Sequence, residues 1–405
     1  MSIERGQSRR SRAVRGVLRT WQRTGVALAW CGIASFTLWG VSGCGGPSQT
    51  PEPGASTQET LTEAEMVAKL DEILDYTYSE RVLDVDIPGG PAAWQIMHGV
   101  LAFGPTFPIR HEGQVVGTVD YLAHGGTMGG WGLAPGRVYD EATGARGVIT
   151  QLELGSKAGQ GHTDQWLGYM AHAGVPLDQE FVVEGETMTM RGMLEQAKWE
   201  VPRNAIQEYS WTLMGLSQYE TTEATWTAVD GETWSVADLV DIESSYLMGD
   251  GPCGGTHRLT GLALICQKRK LEGLPFEGPW AVALERLNSG IEGARLNQNA
   301  DGSFSTNYLT RGGTTSDLAQ VLGTSGHVLE FLSIHMTDEQ IREPWVQRAA
   351  LNLADVFDTT RGLDLECGVL YHAAHALVLY RNRLAETPYQ PPANSVPELL
   401  TDASL

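Results

Sequence analysis

The sequence contains few cysteines and few basic residues for its length. Five cysteines occur in 405 residues, and only Cys253, Cys266 and Cys367 lie beyond residue 44. So few thiols exclude a small disulfide-stabilised scaffold. Lys and Arg number 28 against 49 Asp and Glu, which gives a formal net charge of −21. Because binding to nucleic-acid phosphates needs clustered basic residues, we expect no nucleic-acid partner.

Long apolar runs are also scarce, and the clearest one spans residues 25–43, after seven Arg. This arrangement is typical of a secretory signal. The run ends at Val41-Ser42-Gly43-Cys44, which resembles the bacterial lipobox, where small residues fit the signal peptidase and the thiol accepts diacylglycerol. The sequence therefore predicts a lipoprotein with a signal peptide over residues 1–43 and a lipid anchor on Cys44. A transmembrane anchor is the alternative.

The predicted location is the cell envelope, with the membrane as a partner through the lipid. Gly45 stands where an Asp often retains such proteins at the inner membrane, so the outer membrane or cell surface is favoured. Residues 44–60 are rich in Gly, Pro, Ser, Thr and Gln and predict a flexible tether. A single folded domain is expected over residues 61–386, followed by a loose tail over residues 387–405.

An internal repeat indicates the architecture of the folded part. Gly185-Glu186-Thr187-Met188-Thr189-Met190 and Gly231-Glu232-Thr233-Trp234-Ser235-Val236 lie 46 residues apart, and each leads into a helical pattern. Thr189 and Ser235 are suited to cap those helices. A second helix follows each copy, over 206–219 and 256–270. A period of this size indicates stacked helical hairpins.

Extending the period predicts six second helices and an alternating set of amphipathic first helices. The second helices are rich in Ala, Gly and Leu on several sides, as helices buried all round must be. Six inner and six outer helices would close an α/α toroid, in an all-α fold with one β-hairpin excursion over residues 108–150. The second helices are expected to start near Trp94, His162, Trp211, His257, His327 and His372, and the first helices include 64–78, 279–296 and 343–357.

The segment Leu296-Asn297-Gln298-Asn299-Ala300-Asp301-Gly302-Ser303-Phe304 resembles the repeat motif of the terpenoid cyclase and protein prenyltransferase-like toroid superfamily. In that motif a Gln followed by Gly-x-aromatic braces neighbouring hairpins. The resemblance implies the architecture and not the chemistry. Asp84-Val85-Asp86 is followed by Ile87, so the Asp-x-Asp-Asp acid of the cyclases is missing. Asp364-Leu365-Glu366-Cys367 has one residue too many for the prenyltransferase zinc motif.

Gly and His recur where the inner helices are expected to begin, at what would be one mouth of the ring. Imidazoles there, beside an acid and a guanidinium, are suited to general acid and base catalysis on a bound ligand. The alternative is that each His only satisfies a helix end or a buried hydrogen bond. The candidate catalytic residues are His162, Asp164, His257, Arg258, His327 and His372.

A more specific hypothesis is that the residues at this mouth bind a metal ion. Cys253, His257 and His375 are suited to hold zinc if the ring brings them together, although no pair has a diagnostic spacing. Trp131, Trp166, Trp211 and Tyr219 are expected near the mouth and would stack on sugar rings, or else belong to the core.

Together these features predict a tethered toroid that binds a small molecule or glycan of the envelope. The enzymatic version of this prediction is a hydrolase or a lyase. The alternative is a noncatalytic scaffold or binding protein.

Overall fold

The computed structural model describes residues 61–204, 208–363 and 365–392, and the predicted signal peptide, tether and lipid site on Cys44 lie outside them. The described chain is mostly α-helical, as expected, but it also contains strand pairs outside the single excursion predicted over residues 108–150. Its α-helices are α1 (Glu63–Glu80), α2 (Ala93–Phe103), α3 (Thr118–Ala123), α4 (Gln165–His172), α5 (Met190–Glu200), α6 (Ser210–Tyr219), α7 (Val236–Ser245), α8 (Thr256–Leu271), α9 (Pro279–Leu296), α10 (Leu318–His335), α11 (Asp338–Ile341), α12 (Pro344–Thr359) and α13 (Cys367–Ala385). Two short 3-10 turns, Val201–Asn204 and Pro252–Gly255, precede α6 and α8.

Six of these helices form a closed cycle of contacts. In order along the cycle they are α2, α4, α6, α8, α10 and α13, and α13 packs back against α2. Their side chains are buried on all sides, as the apolar composition predicts. In α10, for example, every residue from Leu322 to Ile334 is buried.

Glycines allow neighbouring helices of the cycle to approach closely. A Cβ on Gly261 of α8 would lie 2.7 Å from the Cα of Ser210 at the start of α6. A Cβ on Gly326 of α10 would lie 2.9 Å from the Cα of Ala373 in α13. Any side chain at these positions would force the helices apart, which would also separate the groups that they carry into the centre.

The remaining long helices, α1, α5, α7, α9 and α12, pack on the outside of the cycle. Their predicted ranges agree with the observed ones to within two residues. Thr189 and Ser235 are the N-cap residues of α5 and α7, and Ser235 forms a capping box with Asp238. Between α2 and α4 the chain forms strands and the short α3 instead of a sixth long outer helix.

The strands form small separate sheets. Strand β1 (Leu83–Asp84) pairs in parallel with β2 (Pro108–His111), which forms an antiparallel hairpin with β3 (Gln114–Gly117). A second hairpin follows within the predicted excursion. The excursion predicted over residues 108–150 is thus not one hairpin, because the helix α3 separates two hairpins within it. The other antiparallel pairs are β4 (Leu133–Asp140) with β5 (Ala145–Thr150), β6 (Glu180–Val183) with β7 (Glu186–Thr189), and β8 (Thr225–Thr227) with β9 (Thr233–Ser235).

Gln298 links two of the outer helices. Gln298 Nε2 donates to the carbonyl oxygens of Gly302 at 2.9 Å and of Trp345 at 2.8 Å. It thereby ties the turn after α9 to the start of α12.

The start of the expected tail is also anchored. Tyr389 is buried, and its hydroxyl donates to Asp75 Oδ1 at 2.6 Å. Residues 393–405 lie outside the described chain. Among the described helices, none has both the length and the apolar character required to cross a bilayer.

Candidate metal and catalytic centre

Four of the predicted histidines converge at the centre of the helix cycle. The ring centroids of His162 and His257 are 5.0 Å apart, those of His257 and His327 are 5.2 Å apart, and those of His327 and His372 are 4.0 Å apart. The side chains of His257 and His372 are only 6% and 5% exposed, whereas that of His162 is 19% exposed. The cluster is therefore buried, and His162 lies on its more accessible side.

Glu208 is one of two buried carboxylates that organise these rings. It lies just before α6, and its Oε1 is 3.0 Å from His257 Nδ1 and 3.2 Å from His162 Nδ1. Trp211 Nε1 donates to the same oxygen at 3.1 Å. Burial alone would raise the pKa of Glu208, but the charge of His257 and the contacts with both imidazoles hold it below its usual range. Glu208 is thus an ionised acceptor that orients His257.

Cys253 joins the cluster from the turn before α8. Its backbone has a φ of +49°, a left-handed conformation, and Gly254 and Gly255 follow it in the same region. This turn brings the thiol to His257 and His327: one ligand atom from each of these three residues lies within 4.8 Å of the other two. A second such group consists of His162, Glu208 and His257.

The electrostatics favour a negatively charged sulfur. Burial would raise the pKa of Cys253, yet the charges of His327 and His257 hold it well below its usual range. In return, although burial disfavours charged imidazoles, Cys253 raises the pKa of both rings, and Glu208 adds to the effect on His257. The directions of these shifts favour a thiolate beside protonated imidazoles.

The imidazoles of His257 and His327 each have one nitrogen within hydrogen-bond distance of an oxygen. His257 Nδ1 faces Glu208, and His257 Nε2 has no hydrogen-bond partner in the described chain. His327 Nδ1 is 2.6 Å from the carbonyl oxygen of Gly323. Histidines that bind metals usually present this arrangement, in which the second nitrogen donates to a carboxylate or a backbone carbonyl.

Glu330 is the second organising carboxylate. Its Oε1 is 2.5 Å from His375 Nδ1, and its Oε2 is 3.5 Å from His372 Nδ1. His375 Nε2 is 3.2 Å from His172 Nε2 at the end of α4. Burial would raise the pKa of Glu330, but His372 and the bonds from both imidazoles hold it well below its usual range. Burial lowers the pKa of His372 to about 4 and that of His172 to about 3, so both rings are neutral at pH 7.

Tyr169 and His98 complete the centre. The Tyr169 hydroxyl is 2.9 Å from His98 Nε2 and 3.4 Å from His372 Nε2, and Gln165 Nε2 donates to it at 3.0 Å. Burial and the neighbouring His372 lower the pKa of His98 well below its usual range. These neutral, hydrogen-bonded groups fill the space beside the cysteine and fix the rotamer of His372.

Two predicted catalytic residues lie beside the cluster and engage other partners. Arg258 Nη1 donates to both oxygens of Glu243 at 2.8 and 2.9 Å, and Glu243 also accepts from Tyr209 N at 2.7 Å. This pair ties the residue after His257 to the residue after Glu208. Asp164 Oδ2 accepts from Thr212 Oγ1 at 2.5 Å, and burial raises its pKa to about 6.

Two expectations need correction. His375 does not belong to the group around Cys253, because its Nε2 faces His172 at 3.2 Å, and His327 takes that place. His327 and His372 lie inside α10 and α13, which begin at Leu318 and Cys367, so they are not helix-start residues. For Trp166 and Trp211 the core alternative is confirmed, because both are buried, and Trp211 also donates to Glu208. The cysteines 253, 266 and 367 are all free thiols.

Sequence reasoning missed both organising carboxylates. Glu330 is the one acidic residue in α10, an otherwise apolar helix, and it follows His327 by one turn. A single charge on a helix buried all round needs a partner, so this pattern was a usable signal. Glu208 lies three residues before Trp211, inside the helix predicted over 206–219 but before the observed start of α6, and no comparable signal marks it.

Comparisons with protein-family models, with curated proteins and with solved structures find no match to this chain.

Proposed function

We propose that this chain is a zinc-dependent hydrolase or lyase of the cell envelope, with the ion held by Cys253, His257 and His327. The observation that carries the proposal is the position of three ligand atoms within 4.8 Å of one another. The second nitrogens of the two imidazoles are held by Glu208 and by the Gly323 carbonyl. One thiolate and two imidazoles suit zinc, and three protein ligands leave a position for substrate or water.

The charges of the group support a divalent cation. A thiolate beside two imidazolium rings has the same net charge as a thiolate and two neutral imidazoles around a divalent ion. Binding would therefore exchange two protons for one ion without leaving an unbalanced buried charge. Two carboxylates add negative charge to the centre. Glu208 contacts His162 and His257, and Glu330 contacts His372 and His375.

In this mechanism a zinc ion would supply Lewis-acid activation of water or of a polar substrate bond. Glu208 holds His257 in one tautomer through Nδ1, and it holds His162 from the other side. His162 is the most accessible of the four rings, so it is placed to exchange a proton with a substrate. Arg258 and Glu243 act as positioning residues, because they fix the chain segments that carry His257 and Glu208.

We further propose that the six-helix cycle forms an α/α toroid, attached to the membrane by lipid on Cys44. The cyclic order of contacts among the helices supports the first part, and the lipobox resemblance supports the second. Replacing Cys44 with Ala should abolish incorporation of labelled fatty acid into the protein in a producing bacterium. Equal incorporation into the variant would contradict a lipid on Cys44.

A second candidate is a thiol hydrolase or transferase without metal. Cys253 precedes helix α8, its pKa is depressed, and His257 is oriented by Glu208, which is the order of nucleophile, base and orienting acid. This candidate predicts rapid alkylation of Cys253 by iodoacetamide in protein as purified. The zinc proposal predicts slow alkylation that becomes fast once the ion is removed with a chelator.

The experiment that tests the zinc proposal is elemental analysis of the full-length protein, purified in detergent without a polyhistidine tag. We expect about one zinc per chain, because the donor set forms a single site. The variants Cys253→Ala and His257→Ala should lose the metal, and the control Cys266→Ala, a buried cysteine of α8 outside the cluster, should retain it. Absence of metal from the wild type would exclude the proposal, and absence of fast thiol alkylation as well would favour a noncatalytic binding protein.

A further inference from the structure

A separate cleft opens beside the histidine cluster. It has a volume of about 320 Å³ and lies between the end of β5 and the facing side of α5 with its following 3-10 turn. Residues 148–152 form one wall, and Thr163 and Asp164, at the start of α4, contribute to the floor. Neither the proposed zinc ligands nor the carboxylates Glu208 and Glu330 line it.

Side-chain amides contribute to the polar lining of this cleft, together with Thr150, Thr163, Asp164, Glu200 and Arg203. Four amides come from three different segments of the chain, so they converge by folding and not by sequence proximity. They are Gln151, Gln160, Gln196 and Asn204. A primary amide both donates and accepts hydrogen bonds, and a peptide group offers the complementary pair.

Asn204 carries a side-chain acceptor that is not hydrogen-bonded. The residue is 4% exposed, and Nδ2 donates to the backbone carbonyl oxygen of Glu208 at 3.0 Å. Its Oδ1 is buried and has no hydrogen-bond partner within the described chain. An unsatisfied buried acceptor is unfavourable, so an N–H group of a ligand would be favoured at this position.

The cleft adjoins the accessible side of the cluster. Thr163 and Asp164 directly follow His162, whose Nδ1 is 3.2 Å from Glu208. Asn204 is bonded to the backbone of that same Glu208. A ligand in the cleft therefore lies next to the ring that is most exposed, and a segment extending from it can reach the cluster.

The lining also favours one class of ligand. Among the described residues, no aromatic side chain lines the cleft, so it offers no platform on which a sugar ring would stack. Its apolar part consists of aliphatic and methionine side chains, which include Leu167, Met193 and Ala197. Convergent amides over an aliphatic base fit an extended peptide.

We propose that this cleft binds a peptide segment, and that it is the substrate subsite of the zinc centre. The second half of this statement rests on the proposed function. The first half does not, because peptide binding to the cleft needs no ion.

Binding can be tested with an equimolar mixture of N-acetylated, C-amidated tripeptides, using saturation-transfer NMR on the full-length protein. We expect transfer to the peptides and little to tri-N-acetylchitotriose. The variant Ala197→Phe fills the cleft and should reduce the transfer at least fivefold. The control Ala142→Phe makes the same change in the exposed β4–β5 turn and should leave the transfer unchanged.

Hydrogen exchange of the wild-type protein provides a second readout if Ala197→Phe does not fold. The peptides should slow exchange in residues 148–152 and 193–204. The proposal would be overturned by any of three results: no saturation transfer to the peptides, equal saturation transfer in a folded Ala197→Phe variant, or stronger saturation transfer to the chitotriose than to the peptides. Repeating the measurement on chelator-treated protein separates the two claims. Peptide binding without any zinc in the purified protein would refute the zinc centre alone, and zinc without peptide binding would refute the cleft alone.

Discussion

Replacing Glu208 with Gln should weaken zinc binding while leaving all three proposed ligands in place. The Glu208 carboxylate accepts from His257 Nδ1 at 3.0 Å, and this bond sets which nitrogen of His257 faces the ion. Gln keeps the size of the side chain but removes the charge. Its amide can also rotate to present an NH₂ group to His257, which would favour the wrong tautomer.

The magnitude follows from the role of such partners. Loss of a carboxylate that orients a metal-binding histidine typically costs 10–100-fold in metal affinity. At about 1.4 kcal/mol for each factor of ten, the expected loss is about 1.4–2.8 kcal/mol. The upper part of this range is expected here, because Glu208 is fully buried and also contacts His162.

Competition with a chromophoric zinc chelator measures this affinity directly. The control is Glu272→Gln, which removes a carboxylate at the opposite end of α8, where it contacts Thr222. We expect this control to bind zinc within a factor of three of the wild type, as a site without contact to the ligands should. Equal affinities for the wild type and Glu208→Gln would refute the assignment of Glu208 as the partner of a zinc ligand.

Three further outcomes are expected. Burial raises the pKa of Asp164 from 3.8 to about 6. Ionisation of Asp164 therefore destabilises the fold as the pH rises through this window. Relative to Asp164→Asn, the wild type should lose about 3 kcal/mol of unfolding free energy between pH 3.5 and pH 7, measured by urea denaturation. Phe331→Ala should lower the free energy of unfolding by about 3–5 kcal/mol, because this ring of α10 is fully buried. A loss below about 1 kcal/mol in the same urea assay would contradict its core position. Gln298→Ala should lower the free energy of unfolding by about 1–3 kcal/mol, because the carbonyls of Gly302 and Trp345 lose a donor. Unchanged thermal stability would show that these two hydrogen bonds do not stabilise the fold.

The helices could be predicted from the sequence because their signals are local. The 46-residue repeat and the spacing of apolar residues placed α9 at Pro279–Leu296, as observed. The starts of α10 and α13 were missed, because these helices were placed by their Gly and His residues and not by the capping residues Asp317 and Glu366. The sequence also indicated the histidines of the centre, since Gly and His recur on the apolar inner helices.

Which of these groups touch could not be read from the sequence. His327 and His375 are equally suited to join Cys253 by residue type, and only the packing of α10 against α13 decides between them. Glu208 escaped notice because it was assigned to the predicted helix over 206–219, whereas it precedes that helix and reaches the centre through its contacts with His162 and His257. The partners of a buried site are set by long-range packing, which a single sequence does not display.

Substitution of cobalt(II) into chelator-treated protein tests the zinc centre most directly, because its absorption spectrum reports the ligands themselves. With Cys253, His257 and His327 as ligands, we predict strong visible bands of a tetrahedral ion together with a near-ultraviolet charge-transfer band from the thiolate. The charge-transfer band should disappear in Cys253→Ala and persist in Cys266→Ala. A wild-type spectrum without that band, or one that Cys253→Ala leaves unchanged, would contradict the zinc centre proposed for this protein.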